Sequence, residues 1–382
     1  GFWVFDPADE EEIQKEVWGA DAPPQPKKAR VWGQRNGQVV AFLNDAIPYG
    51  ESSVRAMTML PNGSSLVATT GTQAHIALVG TNGSVRTLCK LPSGEHPAFG
   101  GFVRDKDGNL YLGTCGDLET VYSMKNAPDG RVYRVELNTE LTKASLKEIA
   151  RPFKDDGVYT MAVNPAGTGI FGVTFPGARF FSMSFADGKA HEHLTLATDA
   201  RPQNEDSNRY NWMQIPLGRQ IAFGADGTAF AGANGTTLYG VNVEKGIVTT
   251  NNLLSLWKGQ IDALVSGPDG KLYGGTDRGF LFRFDPATGA AANLGKPLRQ
   301  ARMRSLCFNG DALYGICGEE YGASHLFRYT SDAGYTYPAV PGPYIFGGEF
   351  ANDHYEVLLP GQHGGLWLGG SGRMSFVVRM VP

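Results

Sequence analysis

The sequence predicts an all-β chain folded as a seven-bladed β-propeller of four-stranded antiparallel blades, and three observations carry that expectation. Short runs of alternating residues, broken by Asp-Gly, Asn-Gly and Pro-rich turns, recur along most of the chain, the pattern of consecutive antiparallel hairpins. The runs keep a fixed order of turn, small-residue strand and apolar strand, in copies about 40–60 residues apart. Finally, 51 glycines among 382 residues, with only 19% charged residues, favour short strands and many turns over helices.

In chain order, residues 1–30 stand apart from the repeats as an expected N-terminal helix and linker. Asp9–Trp18 reads as a short helix with acids in its first turn, and Ala22–Lys28 as an extended Pro-rich linker. Residues 31–382 are expected to form the propeller. Val31–Leu43 opens it with strand patterning and its own Asn-Gly turn. The repeat then places its inner turns at Asn62-Gly63, Asp107-Gly108, Ala166-Gly167, Asp226-Gly227, Asp269-Gly270, Asn309-Gly310 and His363-Gly364. Gln260–Gly289 is the plainest copy. Its strands are expected at Ile261–Ser266, Lys271–Thr276 and Phe280–Asp285, with a weaker fourth at Ala290–Leu294. One such unit cannot bury both its faces, so it must stack against others. Glycine in the second strands suits close approach between blades. The chain ends at Pro382, straight after the third strand of the seventh copy. The missing fourth strand is expected from the N-terminal segment, Val31–Leu43 or Phe2–Phe5, which closes the ring and removes an exposed edge.

Composition excludes several classes. A net charge of −4 leaves no basic footprint for nucleic acid, and no run of about 18 apolar residues could cross a membrane as a helix. The chain starts at Gly1 without a signal sequence, as a trimmed exported protein would, so a secreted or periplasmic location is expected. A closed propeller has no obligatory interface, so a monomer is expected. Cys89, Cys115, Cys307 and Cys317 show no Cys-x-x-Cys spacing and read as buried free thiols. No Gly-rich phosphate loop or Gly-x-Ser-x-Gly motif occurs, and no cofactor is required. His191 and His193 share one strand face, but no third ligand is evident, and a structural metal has no support beyond that pair.

Candidate site residues come from the loops. Long connections at Cys115–Gly130, Ala197–Arg219, Gly318–Ser324 and Pro338–Tyr355 all fall on one face of the expected fold, and loops of that length are more often functional than idle. The residues opening the third strands are His75, Arg131, Arg179, Thr237, Phe280, His325 and Ser375, and superposed repeats would place them as a ring near the axis. Loops leading into the first strands add His96, Tyr159, Tyr210, Trp212, Arg302 and Arg304. His75, His96, Tyr159 and Arg179 thus offer one quadrant the groups that remove the C5 proton of a uronic acid. A base takes the proton, a cation neutralises the carboxylate, and an acid protonates the leaving oxygen. The carboxylate pair of ordinary glycoside hydrolysis is not evident there; the nearest acids, Glu319-Glu320, lie beside His325. Tyr210 and Trp212 would stack on sugar rings, and Arg131, Arg304 and His325 would line the rest of the cleft.

Two histidines about twenty residues apart, then a tyrosine and an arginine about twenty apart, on the first blades of a seven-bladed propeller, resemble the propeller-type polysaccharide lyases. Those are the ulvan lyases and rhamnose–glucuronate lyases, to which a propeller α-L-rhamnosidase family is similar in fold. The resemblance implies His75, His96 and Tyr159 as acid and base, in either order, with Arg179 and a histidine on the uronate carboxylate of an acidic polysaccharide or oligosaccharide. A non-catalytic glycan- or protein-binding propeller and a rhamnosidase-like glycosidase are the alternatives.

Overall fold

A computed structural model describes residues 39–42, 51–71, 73–116, 129–197, 215–253, 259–299, 301–318, 324–338, 354–371 and 375–381. The expected helix and linker, the Phe2–Phe5 alternative, Glu319-Glu320, and the stacking residues Tyr210 and Trp212 lie outside the described residues.

The described chain is all-β and builds antiparallel runs of four strands. The first run is β2 (Glu51–Met59), β3 (Ser65–Gly71), β4 (His75–Val79) and β5 (Val85–Lys90), with β1 (Val39–Phe42) preceding it in the chain. Next come β6 (His96–Arg104), β7 (Leu110–Cys115), β8 (Val132–Leu137) and β9 (Ala144–Ala150), then β10 (Gly157–Val163), β11 (Gly169–Phe175), β12 (Arg179–Ser184) and β13 (Ala190–Thr195). The middle runs are β14 (Leu217–Phe223), β15 (Ala229–Ala233), β16 (Thr237–Asn242) and β17 (Ile247–Asn252), and β18 (Ile261–Ser266), β19 (Leu272–Thr276), β20 (Leu281–Phe284) and β21 (Ala291–Gly295). The chain continues through β22 (Met303–Asn309), β23 (Ala312–Cys317), β24 (His325–Thr330) and β25 (Gly334–Thr336) to β26 (His354–Pro360), β27 (Leu366–Ser371) and β28 (Phe376–Met380). Single register pairs, Ser53↔Ser371 and Thr160↔Phe99, join two pairs of runs into eight-stranded sheets. The arrangement is that of a β-propeller.

The expected N-terminal contribution is present in β1. It pairs antiparallel with β28 from Val39↔Arg379 to Phe42↔Phe376 and gives the last run its fourth strand. The first strands pack on one another, β2 against β6 and β26, β6 against β10, and so on through β14, β18 and β22 to β26. Aromatic and aliphatic side chains fill the spaces between runs, as where Phe99, Tyr159, Phe171, Phe175 and Phe180 meet Leu217 and Ile221.

Two features of the sequence produce this packing. The glycines of all the inner turns, from Gly63 to Gly364, take φ between 61° and 84°, a region nearly closed to other residues. The paired glycines of the second strands have a different task. Gly274 lies opposite Phe282 across β19–β20, and a Cβ there would sit 2.0 Å from the ring. Gly275 faces the next run, where a Cβ would meet Met303 Sδ at 2.3 Å. Gly370 under Phe376 and Gly369 against Val54 and Met57 repeat the pair. One glycine admits the aromatic of the third strand and the other admits the neighbouring first strand.

All four cysteines are free. Cys307 pairs in register with Tyr314 and Cys317 with Met303, so the β22–β23 hairpin does not bring them together. Among the described residues no helix is long and apolar enough to cross a membrane.

Candidate functional site

The first strands share a second irregularity, and it builds the site. In β2 the ladder to β3 passes from Val54 to Ala56 and skips Arg55. In β10 it skips Tyr159, in β18 Asp262, in β22 Arg304 and in β26 Glu356. In β14 it jumps from Leu217 to Ile221, across Arg219, and in β6 from Pro97 to Phe102, across Phe99. A bulge puts two residues opposite one and re-aims a side chain. Here it leaves the preceding apolar residue in the core, with Val54, Val158, Ile261, Met303 and Tyr355 all buried. The skipped side chains meet one another across the runs.

Those contacts are charged and buried. Glu356 accepts from Arg219 Nη1 at 2.6 Å through Oε2, and from Arg304 Nη1 and His354 Nε2 through Oε1, the histidine at 2.6 Å. Asp262 takes Arg302 Nε at 2.9 Å and stands 3.7 Å from Arg219 Nε. Arg304 Nε also donates to the Gly318 carbonyl at 2.9 Å. The guanidiniums of Arg219 and Arg55 lie 4.5 Å and 5.0 Å from the centroid of Phe99, which meets Tyr159 edge-on at 5.2 Å. Arg302 enters with φ at 56°, a strained value for arginine. Its amide donates to the Asp277 carbonyl, and its side chain holds Asp262. Burial alone would raise the Glu356 carboxyl, but Arg304, Arg219 and His354 outweigh it and hold it well below the ordinary range. Burial pushes the Tyr159 phenol the other way, up to about 12.

The residues chosen from sequence divide between this cluster and its surroundings. Tyr159 and Arg304 belong to the cluster, with Tyr159 donating to the Leu217 carbonyl at 3.5 Å. His96 opens β6, three residues before Phe99, and its Nδ1 meets Thr70 Oγ1 at 2.6 Å. His75 is buried at the start of β4, its amide donating to Thr69 Oγ1. His75 and His96 thus flank the end of β3. Arg131 and Arg179 are held in matching cradles two strands out, about 10 Å from the first strands at ordinary strand spacing. Arg131 pairs with Glu95 and Glu148, and Arg179 with Asp156 at 3.2 Å and Glu192 at 2.9 Å. Thr114 and Thr174 donate to the inner carboxylates, Glu95 and Asp156, and accept the arginine amides. Of the residues that open third strands, Arg131 and Arg179 thus sit in blade-internal cradles, and the charged side chains that converge across the runs come from the first strands. His325 pairs with Cys317 at the start of β24. His193 Nε2 meets Ser182 Oγ at 2.9 Å and Glu192 serves Arg179; among the described residues no three His, Cys, Asp or Glu side chains are placed to hold a metal.

Sequence reasoning passed over Arg55, Arg219, Asp262, His354 and Glu356. A signal existed. Val54-Arg55-Ala56-Met57, Val158-Tyr159-Thr160-Met161, Ile261-Asp262-Ala263-Leu264, Met303-Arg304-Ser305-Leu306 and Tyr355-Glu356-Val357-Leu358 each set one large polar residue between small or apolar neighbours. Alternation alone assigns that residue to a strand face; the repeated break in register is what turns it inward.

By sequence the chain matches no protein family and no curated protein. By structure it is similar to virginiamycin B lyase from Staphylococcus aureus, at 14% identity and a TM-score of 0.62, over 90% of this chain and 98% of that one. It is also similar to the extracellular domain of a putative hybrid two-component system from B. thetaiotaomicron, at 14% identity and a TM-score of 0.59, over 95% of this chain but 42% of the other. Sqt1 of Saccharomyces cerevisiae aligns at 12% identity and a TM-score of 0.51, over 87% of this chain and 96% of that one. At such identities the likeness is one of fold.

Proposed function

We propose that this chain is a secreted or periplasmic lyase that cleaves an acidic glycan beside a uronic acid by β-elimination, at one end of the axis of a seven-bladed propeller formed by residues 31–382. Support for the blade number comes from the antiparallel runs and from first strands that pack in cyclic order, β26 returning to β2. The observation that carries the functional reading is the bulge ring. Burying charge at an axis that apolar side chains could fill costs stability, and such departures from local rules concentrate at functional sites.

The ring supplies the groups the reaction needs. Guanidiniums from Arg55, Arg219, Arg302 and Arg304 set positive charge where a uronate carboxylate gains enolate character. Tyr159, protonated at neutral pH, gives a proton to the departing oxygen. Burial disfavours the unprotonated phenol, so in this reading proton abstraction is assigned to a histidine. Arg179, held by two carboxylates, stays outside the reacting centre. The elimination itself needs no cofactor, and the protein acts as a monomer on an acidic polysaccharide or oligosaccharide. Virginiamycin B lyase, inactivated by a histidine-to-alanine change, lends the reading a precedent for lyase chemistry on a similar fold.

The test is incubation with a panel of uronate polysaccharides while following the ultraviolet absorbance of an unsaturated uronate. A rise is expected. Free sugar without that rise would indicate a glycosidase. Saturable binding without either product would favour the second reading, a glycan-sensing module, for which the likeness to extracellular domains of two-component systems speaks.

A further inference from the structure

We infer that the ring of Tyr337 is a stacking platform for one sugar of an acidic glycan, at the outer edge of the β22–β25 run and away from the charged cluster. Lys296, from the connection to which the tyrosine is tied, meets the sugar carboxylate. The inference takes its ligand from the acidic-glycan reading above and adds a subsite which that reading does not contain. A surface tyrosine ordinarily rests its ring on the protein and turns its hydroxyl to water. Tyr337 does the reverse. Its hydroxyl donates to the Pro297 carbonyl at 2.8 Å, while the residue is 56% exposed. Among the described residues it is the only exposed aromatic.

The ring is held before any ligand arrives. Two positions earlier, Tyr335 of β25 donates to the Leu294 carbonyl at 2.9 Å, so both tyrosines tie β25 to the end of β21 in the neighbouring run. Tyr335 packs in turn against Tyr329 at 5.1 Å and Phe327 at 5.9 Å. A ring fixed in this way loses little conformational freedom on binding. Its surroundings select the ligand. Lys296, Arg299 and Arg278 are exposed in the connections nearby in sequence. The Lys296 ammonium lies 5.9 Å from the centroid of Phe280. It also offsets part of the burial that raises the Cys317 thiol to about 12, and Cys317 is the register partner of His325. One ring among cations offers too little apolar surface for a protein partner. The flat C–H face of a sugar covers such a ring, and a uronate carboxylate takes up the ammonium. A net charge of −4 disfavours nucleic acid as the occupant.

Register places the platform toward the same end of the fold as the cluster. Met303, beside Arg304, is level with Cys317, and Cys317 with His325, while β25 runs back toward that end from Gly334, opposite Thr330. Three strand spacings, about 14 Å, separate β25 from β22. The platform therefore engages an oligosaccharide of several residues that extends toward the axis, and not a monosaccharide. Stacking far from the bond that breaks is equal in ground and transition states, so it lowers KM for long chains and leaves kcat alone.

The experiment uses the intact protein with a long oligogalacturonate, its methyl ester, the shortest oligogalacturonate that binds, and a long oligomer of whichever uronate glycan the wild type cleaves best. Calorimetry reads binding, and initial rates are taken where product forms. Tyr337→Ala should weaken the long acidic oligomer about three- to tenfold and raise its KM by the same factor at unchanged kcat. The short oligomer should bind as before. Tyr337→Phe keeps the ring and loses the tether, and should bind within about twofold of wild type. Lys296→Gln should weaken the acidic oligomer and not the ester. In wild-type protein labelled at its tyrosine rings, the Tyr337 resonance, assigned by its loss in Tyr337→Ala, should move when the long oligomer is added, a readout independent of how the variants fold. Unchanged affinity in Tyr337→Ala, or equal losses in the Ala and Phe variants, overturns the platform and leaves the lyase reading standing. A Tyr337 shift with oligothymidylate and none with any oligouronate overturns the sugar assignment. Tyr337-dependent binding without an unsaturated product supports the platform and overturns the lyase reading. A wild type that binds no oligouronate overturns both.

Discussion

Glu356 is the residue on which most of the site's electrostatics converge. It is buried and faces Arg219, Arg304 and His354. Its carboxyl lies below the unfolded value of about 4.5, so the folded chain binds fewer protons than the unfolded one in that window. The resulting stability is complete above the unfolded value and is lost as pH falls through the folded one. Acid titration of the melting temperature should therefore show a decline that starts below about pH 4.5 and is shallower in Glu356→Gln. At neutral pH that variant leaves buried cations without their counter-charge and should cost about 3–5 kcal/mol in denaturant unfolding; a loss under about 1 kcal/mol would show that the cluster is wet. Tyr159→Phe is the opposite case. The hydroxyl makes a long 3.5 Å bond to a carbonyl, so its removal should change stability by about 1 kcal/mol or less while abolishing turnover. His75, chosen from sequence as catalytic, is buried. Its alanine variant should lose stability by about 1–3 kcal/mol through a cavity and a lost polar contact, so activity lost there needs a folding control before it speaks for chemistry.

At the scale of the strand, the second-strand glycines and the first-strand bulges are the two devices that matter. A Cβ at Gly274 would lie 2.0 Å from Phe282, so Gly274→Ala should destabilise by about 1–3 kcal/mol. Adding Phe282→Leu should recover part of that loss in a double-mutant cycle, and strict additivity would contradict the stacked geometry. The strands themselves were readable: Ile261–Ser266 is β18 as expected, and the third and fourth strands of that copy agree within one residue at each end. Turn glycines and alternation are local signals, and local signals survive in a sequence. The site was readable only in part. Tyr159, Arg302 and Arg304 were singled out, but Arg131 and Arg179 were drawn toward the axis when they serve Glu95 and Asp156 inside their own runs. Which strand of a repeat lies innermost depends on packing among repeats, and the bulge that turns Glu356 inward depends on its register with β27. Neither is written in a single copy.

For the whole molecule, the structure pairs β1 with β28 and gathers charge at one end of the first strands. β1 covers β28 and buries Ala41. A chain starting at Glu51 should expose that edge, melt at lower temperature and associate as its concentration rises; a monomer of unchanged melting temperature would mean that the last run is complete without β1. The charged cluster lies at one end of those strands, where Arg55, Tyr159, Arg219, Asp262, Arg304 and Glu356 emerge from separate runs and meet. The most direct test of that cluster as an eliminating site is the mass of the products released from a defined uronate oligosaccharide. Elimination predicts two fragments whose masses sum to that of the substrate, one of them unsaturated at its non-reducing end, with none formed by Tyr159→Phe. Fragments that together carry one added water, or an intact substrate recovered from a protein that binds it, would contradict the account.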